Sequence, residues 1–367
     1  MILQTRPPSA PRRRSALLLV AAVGLIGSAC AHLQPPPAAP SAVEHRIRTA
    51  DGWELSLTRL PAMGVARGRP VLLVHGIAAN ARNLDFDEAH SLARWLSRQG
   101  REAWTLSLRG TGTSDRPDPA AGRPAGHDFD TYWRQDLPAA IEAIRAQTGA
   151  ERIDYVGHSM GGMLVYAYLG QGGKGLHRVV TMGSPTRLDF GSTSFGLAMG
   201  LQPVVSAGMQ LPTRSLARMN APLAGGASDP QTLLLINPEN IPTERWQRFM
   251  VTGVDDISGA VLLQLSQMVF GAFASADGAV DYREALARIE TPILVVAGKL
   301  DRFCPPMAAW DAYRNLGGEK AWLLMARTHG AEADYGHMDF VLGSRADTEL
   351  WPQLLGFLDR EAGGSDG

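Results

Sequence analysis

The sequence predicts an α/β fold: a mostly parallel sheet flanked by helices, with a helical cap inserted between two parts of it. Three observations predict it. Short, predominantly apolar runs at 70–76, 103–108, 153–156 and 291–297 alternate with stretches whose apolar residues recur at helical spacing, the pattern of βαβ units. That rhythm breaks between Thr186 and Arg288, where Gly, Ser, Pro and Met become frequent, and it resumes at Thr291. Ahead of the break, a strand-like run ends in Gly157-His158-Ser159-Met160-Gly161 and passes directly into helix-forming residues.

Length and composition allow this architecture. A chain of 367 residues holds one large α/β domain with an insertion, or two ordinary domains. An apolar fraction of 45% suffices for a large core. Thirty-five Lys and Arg against 36 Asp and Glu leave a net charge of -1, which argues against nucleic acid as a partner because no basic excess exists to neutralise phosphates.

In chain order, residues 1–30 form a targeting segment. Arg6, Arg12, Arg13 and Arg14 precede an apolar stretch at 16–26 that is too short for a comfortable membrane span. Leu25-Ile26-Gly27-Ser28-Ala29-Cys30 resembles a bacterial lipobox, in which Cys30 is acylated and becomes the mature N-terminus; Gly27 stands where that motif has a branched aliphatic residue. The expectation is a cell-envelope lipoprotein, joined to the membrane by an N-terminal lipid anchor. The alternative is an ordinary signal cut near Ala29 or Ala31 and a soluble secreted or periplasmic protein. With Cys30 lipidated or removed, Cys304 is alone and no internal disulfide is expected. Residues 31–42 are a proline-rich tether.

The core is expected at 43–185 and 289–362, with the cap at 186–288. Alternation on either side of Asp51-Gly52 predicts a hairpin over Val43 to Arg59. Helical spacing predicts helices over His90–Gln99 and Tyr132–Gln147, each stopped by glycine, at Gly100 and Gly149. Further strands are expected at 178–182 and 321–325, and helices at 307–316 and 348–358. Within the cap, the apolar segments 195–209 and 261–273 are helical or irregular. Its methionines, Met199, Met209, Met219, Met250 and Met268, either line a surface for varied apolar ligands or fill the cap's own core.

Strand, Gly-x-Ser-x-Gly and helix in succession form a nucleophile elbow. The serine backbone is strained there, and Gly157 and Gly161 allow strand and helix to approach so that the Ser159 hydroxyl projects alone. The five-residue string arises easily by chance, so its setting must carry the argument. An acyl-transfer serine needs a base, a carboxylate to orient that base, and donors for the oxyanion. Asp301 follows the strand at 291–297 on a short loop and is the candidate carboxylate; Asp255, Asp256 and Asp281 are the alternatives. Two histidines follow Asp301. His337 sits in Gly336-His-Met-Asp-Phe340, and His329 lies nearer the last strand. The oxyanion donors are expected at the backbone N–H groups of Met160, after the serine, and Ile77, after His75-Gly76. His75 is expected to bond within its own loop.

These residues resemble those of the α/β hydrolases, and among them the acid lipase family of gastric and lysosomal lipases with their microbial relatives. Thr49-Ala-Asp-Gly-Trp53 is similar to that family's N-terminal hairpin, Val74-His-Gly76 to its oxyanion turn, and Ser107-Leu-Arg-Gly110 to its post-strand turn. Tyr132 with Asp136-Leu-Pro-Ala139 resembles its helix start, Tyr155-Val-Gly-His-Ser159 its elbow, and Gly336-His-Met-Asp-Phe340 its His-Leu-Asp-Phe segment. The resemblance implies a triad of Ser159, Asp301 and His337. Departures are Met160, where those lipases favour glutamine, the missing cysteine pair of the animal enzymes, and a cap without counterpart.

The expected function is therefore a serine hydrolase of carboxylic esters, acting on a small-molecule or lipid ester through an acyl-enzyme on Ser159. An acyltransferase using the same triad at the cell envelope is the first alternative, and a non-catalytic envelope binding protein the second. No cofactor is expected, and no metal, since no close set of ligand residues stands out.

Overall fold

The computed structural model describes residues 41–187, 206–225 and 229–360. Cys30, the leader and the tether up to residue 40 lie outside them, as do Met199 and the apolar segment from 195 to 205.

Ten strands are present among the described residues: β1 Val43–Arg48, β2 Glu54–Leu60, β3 Val71–Val74, β4 Ala103–Ser107, β5 Ile153–His158, β6 Leu176–Met182, β7 Gln210–Leu211, β8 Ile257–Ser258, β9 Ile293–Gly298 and β10 Lys320–Met325. Eight of them form one sheet in the order β1-β2-β4-β3-β5-β6-β9-β10, while β7 and β8 pair within the insertion. The first hairpin is antiparallel, as Asp51-Gly52 predicts, with Val43 opposite Arg59 and Arg48 opposite Glu54. β2 is also antiparallel to β4, and every later pairing in the sheet is parallel.

Successive strand residues point to opposite faces, so the apolar runs supply two cores at once. Leu72, Val74, Tyr155 and Val295 join one cluster with Ile141, Ile144, Leu164 and Ala309 from the helices at Leu137–Thr148, Met160–Gly170 and Pro306–Asn315. Val71, Leu73, Val156 and Val296 join the other with Leu92, Leu96 and Leu354 from the helices at Leu92–Arg98 and Trp351–Leu358. The regular helix expected from Tyr132 begins at Leu137. Residues Tyr132–Asp136 form a wider π-type turn that delivers Asp136 inward. There Arg109 Nε donates to Asp136 at 2.7 Å, and its terminal nitrogens donate to Asp51 at 2.6 and 2.9 Å. Three of the strings that resemble the lipases thus meet in one ion network beneath the hairpin.

The insertion between β6 and β9 divides between both faces. Ala217, Trp246, Phe249 and Met250 pack with the second cluster, whereas Val261, Leu265, Met268 and Phe273 pack with the first. Its methionines divide likewise: Met250 and Met268 are buried, and Met209 and Met219 are exposed. Among the described residues no helix is long and apolar enough to cross a membrane.

Candidate active site

Ser159 joins the buried strand β5 to the helix Met160–Gly170 with φ 54° and ψ -121°. A non-glycine residue in that region is strained and persists only where its surroundings hold it. Here the neighbours leave no alternative. A Cβ on Gly157 would lie 2.5 Å from the backbone of Gly161 and Gly162, and one on Gly161 would collide with the Val74 carbonyl oxygen. Gly76, in the turn after β3, passes so close that an added Cβ would lie 2.8 Å from Ser159 Cβ. The glycines read from the sequence are therefore close-approach positions.

Parallel pairing sets β9 beside β6, and β6 beside β5, so the loop after β9 carries Asp301 toward the end of β5. His337 Nδ1 is 2.8 Å from Asp301 Oδ2, and both side chains are buried. The other carboxylate oxygen accepts the N–H groups of Phe303 at 3.0 Å and Cys304 at 2.6 Å. Asp301 is thus gripped from behind and presents one oxygen to the imidazole. Nδ1 is taken by that carboxylate, and Nε2 is not. Ser159 Oγ makes no hydrogen bond among the described residues, and it lines the same cavity as His337. Gly183, with φ 57°, adds a contact the sequence did not single out: a Cβ there would stand 3.0 Å from Asp301 Oδ2 and 3.1 Å from His337 Nδ1.

The alternatives separate cleanly. His329 is exposed on the turn after β10. Asp281 accepts from the N–H groups of Arg283 and Glu284 at the head of a short helix, and Asp256 accepts from Arg214 N–H. Asp255 is buried against Asn80 and Arg116. His90 pairs with Asp87, His127 lies against Tyr132, and His177 meets Asp154.

Two further histidines stand behind the site. His75 Nδ1 lies 2.8 Å from the Gly76 carbonyl oxygen and Nε2 accepts the Leu108 N–H at 3.1 Å, so it bonds within its loop. Burial lowers its pKa to about 4, which keeps it neutral. His158 lies 2.9 Å through Nε2 from the His337 carbonyl oxygen and 2.9 Å through Nδ1 from Asn83. Burial first, and the neighbouring His337 second, hold His158 well below the usual histidine range. The structure sets Asn83 Oδ1 against Nδ1 and leaves the Asn83 NH₂ buried without a partner; a neutral ring that donates from Nε2 must accept at Nδ1, which calls for the opposite amide orientation. Asn83 gave no signal in the sequence; its role exists only through the fold.

Ser159 and His337 open on a cavity of about 450 Å³ whose wall is mainly apolar. Gly76, Ile77 and Ala78 form one side, while Ala217, Leu235, Trp246, Phe249 and Met250 of the insertion form the roof. Ile77 thus borders the serine. Met160 begins its helix, so its N–H has no intrahelical acceptor. Among the described residues no group of His, Cys, Asp or Glu is placed to hold a metal ion.

This fold and this strand–serine–helix junction define an α/β hydrolase. The chain belongs to the α/β hydrolase fold family, which it matches over residues 69–344. Among curated proteins it is similar to lipases. It is 33% identical over 127 residues to gastric triacylglycerol lipase of Rattus norvegicus, covering 32% of each chain. It is 31% identical over 141 residues to triacylglycerol lipase 2 of Arabidopsis thaliana, covering 35% of this chain and 34% of that one. The match therefore spans about a third of the length of these relatives. Among solved structures, an esterase from Exiguobacterium antarcticum superposes with a TM-score of 0.58 at 18% identity, over 87% of this chain and 100% of that one. A membrane phospholipase A gives a TM-score of 0.56 at 18% identity, over 94% and 96%. These likenesses show the fold.

Proposed function

We propose that this protein is a serine hydrolase of carboxylic esters with an apolar acyl or alcohol moiety. The observation that carries the reading is one constellation. Ser159 stands strained at a strand–helix turn, on the wall of an apolar cavity that His337, hydrogen-bonded to Asp301, also lines.

Each residue then has one task. The substrate's apolar part enters the cavity between the Ile77 turn and the insertion. Ser159 Oγ attacks the acyl carbon while His337 Nε2 takes its proton, and Asp301 holds the imidazole in the tautomer that leaves Nε2 free. The N–H groups of Ile77 and Met160 receive the oxyanion, and the helix behind Met160 adds its positive end. The His337 imidazolium returns the proton to the leaving alcohol, and the C–O bond breaks. Water, deprotonated by the same nitrogen, attacks the acyl-enzyme and releases the carboxylic acid and Ser159. The lipase relatives support an ester of lipid type. The leader sequence supports a place in the cell envelope through a lipid on Cys30, which radiolabelled palmitate incorporation in wild type but not in Cys30→Ala checks.

The deciding experiment measures p-nitrophenyl ester hydrolysis across chain lengths and labelling by a fluorophosphonate. Wild type should turn over and label, with Ser159→Ala losing about 10⁴-fold or more in kcat and all label. Equal labelling of Ser159→Ala and wild type sinks the reading.

A further inference from the structure

Asp255 belongs to the insertion and is buried, yet its carboxylate serves the turn beside Ser159. That turn is not held by β3 alone. Ala78, next to Ile77, has φ 54°, a left-handed conformation that alanine keeps only under constraint. The constraint comes from the insertion. Ala79 and Val254 form an antiparallel bridge, the Asp255 N–H donates to the Ala78 carbonyl at 3.0 Å, and the Asn80 N–H donates to the Gly253 carbonyl at 3.2 Å.

The Asp255 side chain completes the clamp. Its Oδ2 accepts the Asn80 side-chain amide at 2.8 Å and the Gly112 N–H at 2.8 Å, while Oδ1 accepts Arg116 at 2.8 Å. Gly112 lies in the turn after β4, beside Thr111, whose hydroxyl is 3.2 Å from His75 Nε2. One carboxylate therefore joins the insertion to the turns after β3 and β4. The bonding continues from Asn80 Oδ1, which accepts the Arg82 N–H at 2.9 Å and heads the short turn Ala81–Asn83. Asn83 then meets His158, and His158 meets the His337 carbonyl. On the other side, the Asp255 carbonyl accepts the Thr213 hydroxyl at 2.6 Å, at the start of the helix whose Leu216, Ala217 and Asn220 line the cavity.

We propose that Asp255 is a positioning residue for ester hydrolysis at Ser159: from the insertion, it locks the turn that presents the Ile77 N–H to the oxyanion. The inference rests on the serine-hydrolase reading. An oxyanion donor works within a narrow distance range, so a turn released by a fraction of an ångström weakens the transition state. The ground state is held by the apolar wall and is left as it was. The result is a fall in kcat without a matching rise in KM.

The test uses the full chain, with p-nitrophenyl butyrate as substrate and a fluorophosphonate as active-site titrant. Wild type, Ser159→Ala, Asp255→Ala, Asp255→Asn and Asn80→Ala are compared. Asp255→Ala should lower kcat by about 10- to 100-fold with KM changed less than about twofold. The labelling rate per site should fall by the same factor, while the final labelled fraction reaches that of wild type. Asp255→Asn keeps an oxygen on Asn80 and Gly112 but sets an NH₂ against the guanidinium groups of Arg116 and Arg214, both partly exposed and able to turn away, so its kcat should lie between those of wild type and Asp255→Ala. Asn80→Ala cuts the clamp from the opposite side and should lower kcat with KM held; it carries the test where Asp255→Ala does not fold. Unchanged kcat in Asp255→Ala and Asn80→Ala, with wild type active and Ser159→Ala inert, overturns this inference alone. A reduced labelled fraction at an unchanged rate per site overturns it too, because that marks lost folded protein. A wild type that neither hydrolyses nor labels overturns the hydrolase reading and this inference with it.

Discussion

Replacing Asp301 by asparagine probes the proton logic of the site with almost no change in shape. Oδ1 of Asp301 accepts backbone N–H groups from Phe303 at 3.0 Å and Cys304 at 2.6 Å. In Asp301→Asn the carbonyl oxygen must therefore keep that position, because an NH₂ group there would face two donors. The amide NH₂ is forced to the place of Oδ2, 2.8 Å from His337 Nδ1. A donor facing Nδ1 makes that nitrogen an acceptor and moves the ring proton to Nε2, the nitrogen that must take the Ser159 proton. The counter-charge to the imidazolium disappears in the same step. Loss of tautomer and charge together is worth about 10⁴ in kcat, or roughly 5.5 kcal/mol of barrier. Both backbone bonds survive, so the thermal midpoint should move by no more than about 4 °C. The assay is kcat for p-nitrophenyl butyrate beside a thermal melt of each protein. A folded Asp301→Asn enzyme that keeps more than about a tenth of wild-type kcat refutes the argument.

Two further outcomes follow from buried contacts. In Gly76→Ala the new methyl would meet Ser159 Cβ at 2.8 Å. Either the turn or the serine must shift, so kcat should fall by about 10² or more and stability by about 1–3 kcal/mol; an active-site titration showing full, wild-type-rate labelling would falsify this. Asp339 supplies a pH prediction. Burial raises its carboxyl to about 7, although it accepts the Asn237 N–H at 2.9 Å and the Asn240 amide at 2.9 Å. Its folded value lies above the unfolded value of about 3.9, so the folded state keeps a proton that the unfolded chain releases. This contribution to stability is complete below about pH 4 and is lost as pH rises through about 7, by at most about 1.4 kcal/mol per unit. Asp339→Asn carries no titrating group; its oxygen stays on the Asn237 N–H and its NH₂ takes the place of Oδ1, where the Asn240 amide must flip to turn its unpartnered Oδ1 toward it. Melts across this range should show the variant gaining on wild type as pH rises; a difference independent of pH would count against the assignment.

Much of the sheet is legible in the sequence because its causes are local. Alternation around Asp51-Gly52 sets a hairpin, glycines stop helices, and runs such as Val71–Val74 serve two faces of a buried strand. The Gly-x-Ser-x-Gly string marks Ser159 because its glycines answer to close approaches that no side chain survives. Two strings in the insertion divided in a way periodicity does not reveal. Met250 and Met268 have similar surroundings in sequence, yet one lines the cavity and the other packs beneath the opposite face.

The amino-acid order by itself determined the strands, the helices, the strained serine and a short set of candidate acids and bases. Tertiary structure made the selection. Asp301 meets His337 because parallel pairing sets β10 beside β9 and so brings the segments that follow them to one edge of the sheet, whereas His329 is left exposed on its turn. Asp255 reaches Asn80 only because the insertion folds back across the turn after β3. Local pattern fixes the conformation of a few neighbouring residues; which distant side chains share a hydrogen bond is set by the packing of the whole chain, and no short stretch of sequence contains it.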